Sequence, residues 1–219
     1  MRKFVTIAGG TVLALLVASS TAWGGILADD ATGMPGWRNT LTFDTANVPP
    51  NISFYTADID YNVYAPGACV GSPVFGFDPQ PGHYVYAYQV VEVVNVSSPG
   101  PPNVNQLSIG VLDHEAYNIN YLDPNPSDPT IIDPDYCGFD VGTALWRFWT
   151  PVIPVGSSSA ILYFTSPAGP EWDGGSTMGY PMGAKPDPGL GLPIPVPEPT
   201  TLALLALGLV ALCRSRRRG

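Results

Sequence analysis

The chain has 219 residues, with 9 basic and 18 acidic side chains and a formal charge of −9. Glycine (24) and proline (25) are abundant without a repeating period, which argues for many turns between short elements and against a collagen-like chain. Trp, Tyr, Phe, Val and Ile recur throughout, so the chain buries apolar surface and is not a disordered polymer.

The N-terminus reads as an export signal. Arg2-Lys3 form a basic start, Phe4 to Ala18 an apolar stretch, and Ser20-Thr21-Ala22 or Ala22-Trp23-Gly24 a small-residue cleavage site. Residues 1–24 are therefore expected to be a signal peptide removed after Ala22 or Gly24, with retention as a membrane anchor the alternative. Six basic residues and one acidic residue, Glu198, lie in the two ends, leaving only Arg38, Arg147 and Lys185 against 17 acidic residues. Such a body is repelled by nucleic acid and by anionic lipid, so neither is expected as a partner.

Residues 25–179 suit one domain with a core of its own. No stretch keeps a 3.6-residue apolar period, and several alternate with period two. Asn51 to Tyr64 is rich in Ile, Tyr and Val. Tyr84 to Val94 is the strongest strand. Tyr84, Tyr86, Tyr88 and Val90 share one face, and Val85, Ala87, Gln89, Val91 and Val93 the other, so it is predicted to be central. Val104 to Leu112 reads as a return strand pairing with it in a long-looped hairpin. Thr143 to Thr150 places Ala144, Trp146 and Phe148 on one face, and Ala160 to Thr165 is a further strand. The predicted fold is all-β: a single antiparallel β-sandwich or jelly-roll-like domain, flanked by an N-terminal signal helix and a short C-terminal transmembrane helix. Cys69 and Cys137 are the only cysteines of the body and are expected to pair, because an exported chain meets an oxidising compartment; two free thiols are the alternative. A bridge would close a loop of about 68 residues, contributing up to ~4 kcal/mol in the chain-entropy model.

Candidate chemistry is sparse. Asp123, Asp128, Asp133, Asp135 and Asp140 lie in a Pro-rich stretch, with Asp133 and Asp135 the best placed for calcium. The spacing does not match a calcium loop, so solvated carboxylates are the plainer reading and no metal site is assigned. Asp113-His114-Glu115 and His83 could carry a general base, but strand neighbours point to opposite faces. Gly156-Ser157-Ser158-Ser159-Ala160 lacks the last glycine of a nucleophile elbow, and Gly174-Gly175-Ser176-Thr177 reads as a turn. No catalytic residue and no cofactor is implied. Among aromatics able to stack on sugar rings, Trp37, Trp149, Trp172 and the Tyr84/Tyr86/Tyr88 row are candidates. The tyrosine row reads as core, and Trp172, between Glu171 and Asp173, as the most exposed.

Residues 180–196 form a Pro/Gly-rich spacer, expected to be extended and semi-rigid rather than folded. The segment 197–219 then carries Pro197-Glu198-Pro199, an apolar run over 200–213, and Arg214, Arg216, Arg217 and Arg218. As a helix the run is about 21 Å long, short of the roughly 30 Å bilayer core, which suits a segment held briefly. The arginines are expected to stay cytoplasmic.

This order of motif, apolar run and arginines resembles the PEP-CTERM sorting signal of Gram-negative bacteria, also catalogued as the ice-binding protein C-terminal domain. The resemblance implies that an exosortase recognises Pro197, Glu198 and Pro199, with the inner membrane as a partner during export and exopolysaccharide as a further one. It implies export across the inner membrane, transient anchoring, and a final place at the cell surface or outside the cell. Tyr84 to Val90 and Ile161 to Pro167 also resemble β-rich domains found ahead of such tails. The expected function is a non-enzymatic, structural or adhesive surface or matrix protein. The alternatives are a carbohydrate-binding module and a secreted hydrolase.

Overall fold

A computed structural model describes residues 26–48, 54–96, 104–111, 116–173, 177–178, 184–186 and 190–196. The expected signal helix and C-terminal transmembrane helix lie outside these residues. Among the described residues no helix is long and apolar enough to cross a membrane.

One helical turn, α1 (Ile26–Asp29), precedes fourteen short strands. They are β1 (Arg38–Asp44), β2 (Tyr55–Tyr64), β3 (Tyr84–Asn95), β4 (Gln106–Gly110), β5 (Tyr117–Leu122), β6 (Ile131–Ile132) and β7 (Tyr136–Asp140). Then come β8 (Thr143–Arg147), β9 (Ser158–Ser159), β10 (Ile161–Ser166), β11 (Pro170–Asp173), β12 (Thr177–Met178), β13 (Lys185–Pro186) and β14 (Leu192–Pro195). A six-stranded sheet runs β13-β1-β2-β3-β10-β5 and a four-stranded sheet β12-β4-β8-β7. All pairings in both are antiparallel, as alternating apolar and polar positions favour. Two small pairs, antiparallel β11–β14 and parallel β6–β9, complete the described sheets.

The two large sheets share one core. β3 supplies Tyr86, Tyr88 and Val90, β10 supplies Leu162 and Phe164, and β8 supplies Ala144 and Trp146. The Phe164 ring lies 5.0 Å from Tyr86, 6.0 Å from Tyr88 and 6.3 Å from Trp146, near-parallel to all three. Such offset rings contribute beyond the area they bury. At one side Trp146 Nε1–H donates to the Asn120 carbonyl at 2.9 Å, tying β8 to β5. At the other, Met178 beside β4 and Ala184 beside β1 exchange backbone hydrogen bonds, lacing the two sheet edges together.

β3 is central, as expected, but alternation fails part-way along it. Glu92 pairs with Asp58 and Val90 with Ile59, so Val91 has no partner and forms a bulge. The extra residue moves Val93 onto the inner face, where it is buried, although strict alternation places it with Val85. The hairpin expected between β3 and Val104–Leu112 does not form. Both edges of β3 are taken by β2 and β10, and β4 joins the other sheet through β8 and β12. β10 competes successfully for β3 because it is apolar on both faces, with Leu162 and Phe164 inward and Ile161 and Tyr163 outward.

The outer face of β3 and β10 carries a second core of Leu27, Tyr64, Cys69, Phe75, Val85, Ala87, Ile161 and Tyr163. α1 and the segment after β2 close it. Its polar lock is Asp30. One carboxylate oxygen accepts from the Thr32 amide at 2.9 Å and the Thr32 hydroxyl at 2.7 Å; the other accepts from Tyr64 at 2.9 Å and Ser72 at 2.5 Å. Asn62 Nδ2 donates to the carbonyls of Leu27 and Asp30, fixing the end of α1 on β2. Gly33 passes so close to the Asn62 amide that any side chain there would collide with it. Burial alone would raise the Asp30 pKa, but the hydrogen bonds from Ser72, Thr32 and Tyr64 outweigh it and hold the carboxyl below its ordinary value.

The expected Cys69–Cys137 bridge is absent: both are free thiols. Cys69 sits in a 3₁₀ turn, Ala68–Gly71, within the outer core, whereas Cys137 on β7 packs against the core between the sheets. The fold places them in separate clusters, and the entropic benefit of closing the loop does not arise. Burial is the first cause raising both pKa values, to about 12 for Cys69 and about 11 for Cys137. The spacer expectation is also corrected. Within 180–196, β13 pairs with β1, and β14 pairs with β11 and buries Leu192 in the main core. Proline is tolerated in β14 because among the described residues that strand makes one pairing, with β11, and can leave its other edge free of ladder bonds.

Two outcomes follow. Asp30→Ala should cost about 2–4 kcal/mol in urea unfolding at pH 7, since buried hydroxyls lose their charged acceptor. Because its folded pKa is depressed, the Asp30 contribution is present above the unfolded value of about 3.9 and is lost as pH falls through the folded value; Asp30→Asn should flatten stability against pH there. Alkylation without reductant should label both Cys69 and Cys137 after denaturation and neither at pH 8 in the native state, read by intact mass.

Candidate functional site

The chemistry anticipated in loops is largely spent on holding the loops. Asp123 accepts from the Asn125 amide at 2.8 Å, and Asp128 accepts from the Thr130 amide and hydroxyl at 2.9 and 2.7 Å. Asp135 accepts from the amides of Trp149 and Thr150 at 2.5 and 3.1 Å. These bonds hold Asp128 and Asp135 below the ordinary carboxylate range, the first through Thr130 and the second through Trp149 and Thr150. Asp133 moves the other way, raised by burial and then by the charge of Asp123. Among the described residues no group of three or more His, Cys, Asp or Glu side chains is placed to hold a metal ion.

Of the serine candidates, Ser159 is similarly occupied. Ser159 is fully buried, its hydroxyl donating to the Ala160 carbonyl and accepting from the Val90 amide. It joins β9 to β3 as a structural bracket. His83 lies 3.3 Å from the Gln80 amide nitrogen and meets the Tyr117 ring edge-on at 5.4 Å. Asp113-His114-Glu115 and Gly174 to Ser176 lie outside the described residues.

Aromatics divide into three sets. Tyr86 and Tyr88 are core, and Tyr84 packs against it. Tyr86 donates to the Ala168 carbonyl at 2.8 Å and Tyr88 to the Pro193 carbonyl at 2.5 Å, so their polar ends hold the chain around β11 and β14. Trp172 is 53 % exposed, yet one ring face lies on Trp37 at 4.6 Å and Tyr61 meets it edge-on at 5.8 Å. Its role is largely structural, fastening β11 over the end of β1 and β2. Trp149 is 57 % exposed and lies near-parallel to Tyr136, 6.4 Å between centroids, with Tyr136 itself 40 % exposed. Sequence reading missed Tyr136. The available signal was the alternation Tyr136-x-Gly138-x-Asp140, which puts a glycine beside the tyrosine on the outward face of β7.

The C-terminal end of the fold is the other site. β14 pairs with β11 from Leu192↔Asp173 to Pro195↔Pro170, and the Val196 amide then donates to the Gly169 carbonyl at 3.1 Å. Leu192 is fully buried and Ile194 packs against the same core. The sorting residues Pro197, Glu198 and Pro199 and the arginines 214 and 216–218 lie outside the described residues. From Val196 to the start of the apolar run at Thr200 the chain spans at most about 14 Å. The motif is thus joined to a core strand without a long spacer. A chain ending at Val196 should keep the thermal midpoint of the intact body. One ending at Gly191 should melt well below it, and Leu192→Ala alone should cost about 2–5 kcal/mol.

Searches of curated proteins and of solved structures found no match. The model of the PEP-CTERM protein-sorting motif matches residues 195–218, so its match begins at the last residue of β14. This chain therefore carries a PEP-CTERM protein-sorting motif, the C-terminal sorting signal of an exported protein, grafted directly onto the final strand of an antiparallel β fold.

Proposed function

We propose that the protein is a non-enzymatic structural or adhesive component of the cell surface or extracellular matrix, built as a single β-sandwich and delivered by C-terminal sorting. The observation that carries this reading is the sorting motif at 195–218 fused to the end of an acidic β body. In this reading the signal peptide starts export and the apolar run 200–213 holds the chain in the inner membrane, with Arg214, Arg216, Arg217 and Arg218 on the cytoplasmic side. An exosortase then reads Pro197-Glu198-Pro199 and processes the chain, releasing the body for display.

The non-enzymatic part rests on how polar groups are used. Ser159, Asp30, Asp128 and Asp135 each satisfy neighbouring amides or hydroxyls, work that stabilises turns and closes edges. The acidic surface keeps a body of this kind soluble outside the cell.

Intact mass and C-terminal peptide mapping of the protein from its native host provide the test. Envelope and medium fractions should contain a form lacking the apolar run and arginines while retaining β14. Glu198→Ala should accumulate the unprocessed chain in the inner membrane. An unprocessed wild-type chain in all fractions would remove the sorting reading and leave a membrane-tethered domain.

A further inference from the structure

We propose that the outward face of the four-stranded sheet, around Trp149, Tyr136 and Arg147, is a binding site for a neutral polysaccharide, gripped along an extended run of hexopyranose rings. The inference goes beyond sorting and display, and it stands on a different part of the molecule.

Four observations converge there. First, two large aromatic rings are exposed side by side, near-parallel with centroids 6.4 Å apart. Parallel rings at that separation are offset, so each leaves part of a face open, on the scale of one sugar residue. Second, the rings are held in place. The Asp135 amide donates to the Arg147 carbonyl at 2.8 Å, while its carboxylate receives the amides of Trp149 and Thr150, so Trp149 projects from a fixed backbone. Pre-ordering removes part of the entropic cost of binding.

Third, Gly138 makes room for the tyrosine. A side chain at Gly138 would collide with the hydroxyl end of Tyr136, so the ring lies back along the strand over the bare glycine. Fourth, the polar groups suit hydroxyls. Gln106, Arg147 and Tyr136 are paired residues on β4, β8 and β7 and form one row across the sheet. The Arg147 guanidinium sits 5.8 Å from the Tyr136 ring centroid, and among the described residues it forms no salt bridge, which leaves a fork of donors beside the rings.

Charge selects the occupant. Arg147 is one of three cations against 17 carboxylates outside the two ends of the chain. A polyanion such as nucleic acid or a polyuronate would approach against the field of the whole body, whereas a neutral polymer carries no such penalty. A protein partner would need a broad apolar core, and this face offers two rings and the covered Leu145 set among Gln106, Ser108, Thr143 and Asp140. The C–H face of a pyranose against the rings, with its hydroxyls toward Arg147 and Gln106, uses what is there.

The test is native affinity electrophoresis of the full chain in a detergent without sugar headgroups. The gels contain hydroxyethylcellulose, laminarin, galactomannan, dextran or, as the charged control, polygalacturonate. Retardation by at least one neutral polymer is expected, weakened tenfold or more by Trp149→Ala and by Tyr136→Ala. Arg147→Gln should weaken it less, and Trp172→Ala, at the other exposed tryptophan, should leave it unchanged. Circular dichroism on each variant separates loss of binding from loss of fold. Absence of retardation by every neutral polymer, binding confined to polygalacturonate, or sensitivity to Trp172 rather than Trp149 would overturn the proposal. None of these outcomes depends on whether the C-terminus is processed, so the sorting reading stands or falls separately.

Discussion

Strand β3 is buried on both faces, and each face commits one half of the molecule. Inward, Tyr86 and Tyr88 pack through Phe164 against Trp146 and so bind the six-stranded sheet to the four-stranded one. Outward, Val85 and Ala87 form the floor on which α1, Tyr64 and the turn around Cys69 sit. The tyrosine hydroxyls add a second function. They are buried, so each must find an acceptor, and those acceptors are the backbone carbonyls of Ala168 and Pro193. The same side chains that join the sheets therefore also hold down the chain that leads to the sorting motif.

Local pattern revealed the strands and concealed their partners. Alternation in Tyr84–Val90 and in Ala144–Phe148 identified the inward residues correctly, because a strand buried against a core leaves a period-two trace. The bulge at Val91 left no such trace, since its cause is the register against Asp58 and Ile59 on another strand. The hairpin expected from β3 and β4 failed for a related reason. Adjacency in sequence favours pairing, but β10, some seventy residues on, offers β3 an apolar match on both faces.

At the site, the visible part was the address and the hidden part was geometry. Pro197-Glu198-Pro199 with its apolar run and arginines is a linear signal, legible without a fold, and a motif model matches it at 195–218. The Pro/Gly richness of 180–196 suggested an open spacer, yet tertiary contacts overrode composition: Leu192 and Ile194 found the core, and Pro193 and Pro195 suit a strand that pairs on one side. Trp172 is exposed beside Glu171 and Asp173 as expected, but Trp37, far away in sequence, covers one face of its ring. Tyr136 looked ordinary, and only the bare Cα of Gly138 and the neighbouring strand give it room and companions.

The lacing of the sheet edges by residues 177–178 and 184–186 bears on the order in which the body can assemble. Phe43 near the start of the domain pairs with Pro186, and Asp44 with Lys185, so the first long strand waits for nearly the last residues of the body. A chain threaded through a membrane from its N-terminus emerges with β1 early and β13 and β14 late. Its open edge and the slot for Leu192 stay unfilled until the segment just before the sorting motif has crossed. Completion of the β1–β13 and β11–β14 pairings and emergence of the sorting motif are then nearly simultaneous, separated by a few residues of transit. The body would spend most of its export as an incomplete sheet, and its final state would form only as the sorting motif follows it out.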